Sequence, residues 1–121
     1  MATLANAVFD SGLSTLTTNG TRIDICSTEP TTYAEATSTY TLGTDTITIG
    51  SPADRTGGGR EVTVSAVSDA SVTGSGTAAY YAITNGSTTL YATGDLTTSQ
   101  VVTSGNTFSL GSFTIGIPDP V

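Results

Sequence analysis

The chain has no lysine, no histidine and no tryptophan, and its single cysteine is Cys26. Charged residues make up 11% of it, against about 25% in an average soluble domain. Without histidine, neither a Ser-His-Asp nor a Cys-His catalytic arrangement can be built, nor a histidine-held metal. One cysteine allows no internal disulfide, so nothing argues for an oxidising compartment. Its place in an apolar strand pattern favours a buried thiol. Arg22, Arg55 and Arg60 are the only cationic side chains. Three scattered arginines cannot release counterions from nucleic-acid phosphates or hold an anionic membrane surface. No apolar run approaches the roughly 18 residues of a membrane-spanning helix. The strongest helix formers are scarce, which disfavours a helical bundle. Met1-Ala2-Thr3-Leu4 lacks the positive and apolar regions of a signal peptide, which sets the expectation of a cytosolic protein or one exported without a signal.

What is present is hydroxyl and backbone. The 121 residues include 27 Thr, 14 Ser and 14 Gly. Mean hydropathy is +0.10, too high for the charge-rich kind of disorder. Ten carboxylates against three arginines leave a net charge of −7, which suits solubility or docking onto a neutral or basic partner. The length predicts one domain spanning residues 1–121.

Along the chain, Leu4, Val8, Phe9, Leu13 and Leu16 recur at helical spacing, predicting one helix over 3–17 with Thr3 as cap and Asn19-Gly20 as stop. The pattern then changes to period two. Ile23 and Ile25 share one strand face, with Arg22, Asp24 and Cys26 on the other. A loop containing Tyr33 and Glu35 follows Glu29-Pro30. Ile47 and Ile49 mark another strand, and Val62, Val64 and Ala66 a further one. Between them SPADRTGGGR, residues 51–60, reads as an exposed, mobile loop. Asn85-Gly86 is the preferred pair for a two-residue hairpin turn, which places Tyr80 across from Tyr91 within a hairpin over 76–94. Phe108 and Leu110 lie on one phase and Phe113, Ile115 and Ile117 on the other, so Gly111-Ser112 reads as a bulge or corner. Pro118 and Pro120 impose an extended tail over 118–121. Short strands at these intervals predict a mainly β domain, an antiparallel sandwich or small barrel with one short N-terminal helix.

The residues offer little chemistry. The carboxylates are spread along the chain, mostly beside turn residues, and form no calcium-loop pattern. Gly57-Gly58-Gly59 is followed by Arg60 and a β pattern, where a phosphate-binding loop needs Lys-Ser/Thr and a helix. The five tyrosines read as strand packing, with one or two at an interface. No catalytic residue, metal site or cofactor is expected, and the protein reads as a non-enzyme.

Two stretches carry a resemblance. They are NGTRIDICSTEPTTYAEATSTYTLG at 19–43 and GTAAYYAITNGSTTLYATGDLTTSQVVTSGNTFSLGSFTIGIPD at 76–119. Both resemble small virion structural proteins encoded in the morphogenesis modules of tailed bacteriophages and prophages. Those proteins share a short N-terminal helix, a TRxDxCSxEPTxYAEA-like stretch, a hairpin of aromatic-A-(I/L) type, a TSGNTFxL segment and a closing strand. The resemblance implies a capsid decoration, or cement, protein on the outside of the head shell, with a tail, baseplate or fibre-associated β-module as the alternative. It further implies the major capsid protein as partner, a homo-oligomer of trimeric form, and a location on the capsid surface after assembly in the host cytoplasm. Neither nucleic acid nor membrane is an expected partner. The candidate partner contacts are Arg55, Gly57, Gly58, Gly59 and Arg60 of the loop, Tyr80 and Tyr91 of the hairpin, and Pro118, Asp119 and Pro120 of the tail. Deletion of residues 118–121 is expected to weaken particle binding; unchanged binding removes the tail from that role.

Overall fold

The computed structural model of the protein describes residues 5–118. In chain order they form α1 (Asn6–Asn19), β1 (Arg22–Cys26), a π-helical turn (Glu35–Thr39), β2 (Thr41–Thr46), β3 (Ala53–Asp54), β4 (Arg60–Val64), β5 (Val67–Ser71), β6 (Gly76–Thr84), β7 (Leu90–Val102), β8 (Thr107–Leu110) and β9 (Phe113–Ile117). Every strand pairing is antiparallel. The strands make three sheets, in the orders β2-β1-β6-β7, β3-β4-β9 and β5-β8. The fold is thus mainly β with one N-terminal helix, and no closed barrel forms among the described residues. Ile23, Ile25 and Ile83 of the large sheet share one apolar core with Val62, Val64, Val67 and Phe108 of the small ones. That is the layering of a β-sandwich, in which each sheet hides one face against the other.

Strand β1 does what its alternation implies. Ile23 and Ile25 are buried in the core, and the strand pairs with β2 on one side and β6 on the other. Val62 and Val64 of β4 alternate inward in the same way. The helix is displaced from the predicted 3–17. It starts after Ala5, which makes no side-chain cap, and runs to Asn19, where the Gly20 N–H bonds the Leu16 carbonyl at 2.8 Å. Thr3, the expected cap, lies outside the described residues. Phe9 and Leu13 are buried, whereas Val8 is exposed.

Four expectations need correction. Ile47 and Ile49 are buried but lie beyond β2; Ile47 is tied through its N–H to the Thr21 carbonyl, and Ile49 forms an isolated bridge with Val64. An extended connector buries alternate residues just as a strand does, so period two alone could not separate them. Residues 51–60 are not a mobile loop: β3 pairs back onto β4, and Arg55–Gly59 form the turn between them. The segment taken as loop around Tyr33 and Glu35 contains a short helix, opened by a Thr32-x-x-Glu35 capping box in which the Glu35 N–H bonds the Thr32 hydroxyl at 3.1 Å. The Glu35 carboxylate accepts from the Thr31 N–H and hydroxyl at 2.8 and 2.7 Å.

The fourth correction is the β6–β7 register. Thr84 pairs with Leu90, Ile83 with Ala92, Tyr81 with Gly94 and Tyr80 with Asp95, so Tyr80 and Tyr91 are not cross-strand partners. The loop is longer than two residues because the Asn85 side chain organises it. Its Oδ1 accepts from the backbone N–H groups of Ser87, Thr88 and Thr89 at 2.9–3.0 Å. An Asn side chain that caps its own turn competes directly with the tight hairpin that Asn-Gly would otherwise form.

The phase break at Gly111-Ser112 is a corner, as expected. Before it, β8 pairs with β5; after it, β9 pairs with β4. Truncating Ile83, which is fully buried at the centre of the large sheet, removes apolar contact and leaves a cavity. Ile83→Ala is expected to cost about 2–5 kcal/mol. The check is a lower urea midpoint at unchanged slope.

Candidate functional site

The glycine hairpin and the last strand meet at one end of the molecule. Arg60 opposite Ile117 closes the β4–β9 ladder there. Gly59 adopts φ +89°, and a Cβ on it would run into the Ile117 carbonyl oxygen, so only glycine fits. Arg55 lies against Gly116 and donates to the Gly58 carbonyl at 3.0 Å. The Arg60 guanidinium makes four hydrogen bonds. It binds Asp10 of α1 through Nε at 2.9 Å, Asp54 of β3 at 2.6 Å and the Pro52 carbonyl at 3.2 Å. Those carboxylates, Asp10 first, raise its pKa further. Arg55, Gly57, Gly58, Gly59, Arg60 and Pro118 are therefore brought together, with Gly57 and Pro118 exposed. Arg60, however, staples the helix to the hairpin, with most of its donors committed within the chain. Asp119 and Pro120 lie outside the described residues.

Tyr80 and Tyr91 sit on the outward side of the large sheet. Tyr80 packs with Tyr40 and Leu90 over Cys26, Ala36 and Ala82. Tyr91 lines a shallow depression with Pro30 and Thr31. The same side of β1 holds Asp24, whose side chain is completely buried. Arg22 reaches back two residues to bind both its oxygens, Nε to Oδ1 at 2.8 Å and the second nitrogen to Oδ2 at 3.0 Å. The Thr41 hydroxyl donates to Oδ2 at 2.7 Å. Asp24 is therefore a paired structural charge, not a turn former, and its hydrogen bond raises the Arg22 pKa.

Sequence reasoning missed one concavity. A cleft of about 490 Å³ lies between β7 and the β8–β9 corner. Its apolar lining is Leu96, Leu110 and Phe113, all half-buried and packed on the core. The Tyr81 and Phe113 rings meet there with centroids 4.7 Å apart. Gly94 makes this possible, since a Cβ on it would come within 2.7 Å of the Tyr81 ring. Burial, then the charge of Asp95, pushes the Tyr81 phenol up. Thr97, Thr98, Ser109, Ser112 and Thr114 supply hydroxyls around the rim. The only charge in the lining is Asp95. It is also the only charged residue between Asp69 and Asp119.

The cleft escaped the sequence reading because β7 is irregular. Ala78 pairs with Gln100 and Tyr80 with Asp95, so Leu96–Ser99 stand opposite Ala79 alone as a wide bulge. The signal that could have found it is the charge-free run from Leu96 to Pro118. Among the described residues no three metal-ligating side chains converge. Comparison of the chain with protein-family models, with curated proteins and with solved structures finds no match.

Cys26 is buried as expected, with burial pushing its thiol from 9.0 up to about 12. The fold favours the protonated form, so this contribution to stability is complete below 9.0 and is lost as pH rises toward 12. In native protein at about pH 8 the thiol is expected to resist a disulfide reagent and to react once urea unfolds the chain. Fast reaction of the native thiol overturns this.

Proposed function

We propose that the protein is a bacteriophage virion structural protein, a capsid decoration protein that binds the outside of the head shell and stabilises it. The observation that carries this reading is the division of charge across the fold. The acids lie mostly on α1, β1–β5 and their connections, while β7, β8 and β9, which frame the cleft, hold one charge between them. An acidic domain that keeps one strand-edged, hydroxyl-rich side nearly free of charge is suited to lie against another protein there while its charged remainder stays hydrated. The sequence resemblance supports the same reading, as does the rigidity of the hairpin end, where Arg60 links three elements.

In this reading the protein is not an enzyme and needs no cofactor. Its carboxylates serve the fold: Asp24 is taken up by Arg22, and Asp10 and Asp54 by Arg60. Its partner is the major capsid protein, it acts as a trimer, and it reaches the capsid surface from the host cytoplasm during assembly. Stoichiometry in purified virions tests this. Copies comparable in number to the shell subunit are expected. A few copies per particle would instead assign it to the tail, baseplate or fibres, and its absence from the particle would refute both.

A further inference from the structure

We propose that the cleft between β7 and the β8–β9 corner takes an extended segment of a different protein, added alongside the strand edges, with a Lys or Arg side chain set against Asp95. That the donor is a shell protein rests on the virion reading above; the groove and its preference do not.

Among the described residues, three outer strands meet at the cleft. Strand β7 is the outer strand of the large sheet, β9 is the outer strand of its three-stranded sheet, and β8 has β5 on one side only. All three line the cleft. An outer strand carries a row of unpaired N–H and C=O groups, which an extended segment satisfies when it docks. In the Leu96–Ser99 bulge, even the side of β7 that faces β6 lacks register partners. The lining suits such a segment. Side chains of a strand alternate, so one set can enter the apolar floor of Leu96, Leu110 and Phe113 while the other meets the hydroxyl rim.

Natural edges are usually protected by charge or proline. From Leu96 to Val102 this one has neither, and Val101 beside the cleft is 83% exposed. An unprotected edge in a chain of net charge −7 is the exception to that chain's own surface.

Charge selects the occupant. Asp95 is the single acidic or basic residue in the lining among the described residues, so it favours a cation. A second copy of this chain has little to offer. It has no lysine, Arg22 is paired with Asp24 and Arg60 with Asp10 and Asp54, and Arg55, which has no carboxylate partner among the described residues, is held in the glycine turn by the Gly58 carbonyl. The donor is therefore another polypeptide, one that offers a basic residue within an otherwise apolar or hydroxyl-bearing extended run.

The test needs no virus particle. The full chain, labelled with ¹⁵N, is titrated with a capped octapeptide of alternating Thr and Val carrying one central Lys, and with the same peptide carrying Glu instead. Amide shifts are expected at Leu96–Gln100 and Ser109–Thr114 with the Lys peptide, with affinity about tenfold weaker for the Glu peptide. Asp95→Asn should remove that preference while keeping a dispersed spectrum, since Asp95 is exposed. Equal affinity for both peptides, shifts elsewhere, no binding at millimolar peptide, or an unchanged preference in Asp95→Asn overturns the proposal. So does concentration-dependent broadening of the cleft amides in the peptide-free protein, which would make the occupant a second copy. Cleft shifts with maltohexaose but neither peptide would make it a saccharide. A failure here leaves the virion stoichiometry untouched, so the two readings fall separately.

Discussion

Strand β1 is buried on both faces, and that constraint organises the molecule. On one face Ile23 and Ile25 enter the apolar core; on the other Asp24 is sealed from water. A carboxylate in that position is tolerable only if its charge and lone pairs are met. Arg22 meets them from the same strand, two residues away and hence on the same face. Thr41 meets them from the start of β2, which fixes how β2 lies against β1. The π-helical turn then covers this face through Ala36, over Cys26. The apolar side determines that a sandwich forms, and the polar side determines which strands flank its centre.

A second ionic centre does comparable work at the other end. Arg60 joins α1, β3 and β4 through Asp10, Asp54 and the Pro52 carbonyl. A helix without a side-chain N-cap and with few buried residues has little of its own to hold it; the Arg60–Asp10 pair ties it to the sheet. Two of the three arginines are committed to carboxylates and the third to a backbone carbonyl. The flank formed by β7, β8 and β9, with Asp95 as its single charge, is the place where burial against another surface costs least desolvation.

Much of this was legible in the chain. The mainly β, antiparallel class, the inward faces of β1 and β4, the buried Cys26 and the change of sheet at Gly111-Ser112 all followed from alternation and its interruption. The misses have specific causes. Arg60 pairs with Asp10 across 50 positions, and no local pattern announces a contact so distant, so the glycine-rich segment looked free. Asn85-Gly86 met the local rule for a tight turn, but the Asn side chain capped a longer one and moved the register. The Thr32-x-x-Glu35 box was visible and went unread beside the Pro30 that precedes it. The candidate contacts were legible only in part. The hairpin residues and Pro118 do converge, whereas Tyr80 and Tyr91 were paired wrongly, and the cleft depends on a bulge whose four residues follow no period.

The corner at Gly111-Ser112 has a mechanical meaning. One continuous stretch of chain, β8 into β9, belongs to both small sheets, and the intervening residues form part of the cleft wall. Neither small sheet can slide past the large one without drawing the other along. Tension applied at this wall is shared between the β5–β8 and β4–β9 ladders rather than peeling one strand at a time. The domain would then yield as a whole or not at all, as a clamp does.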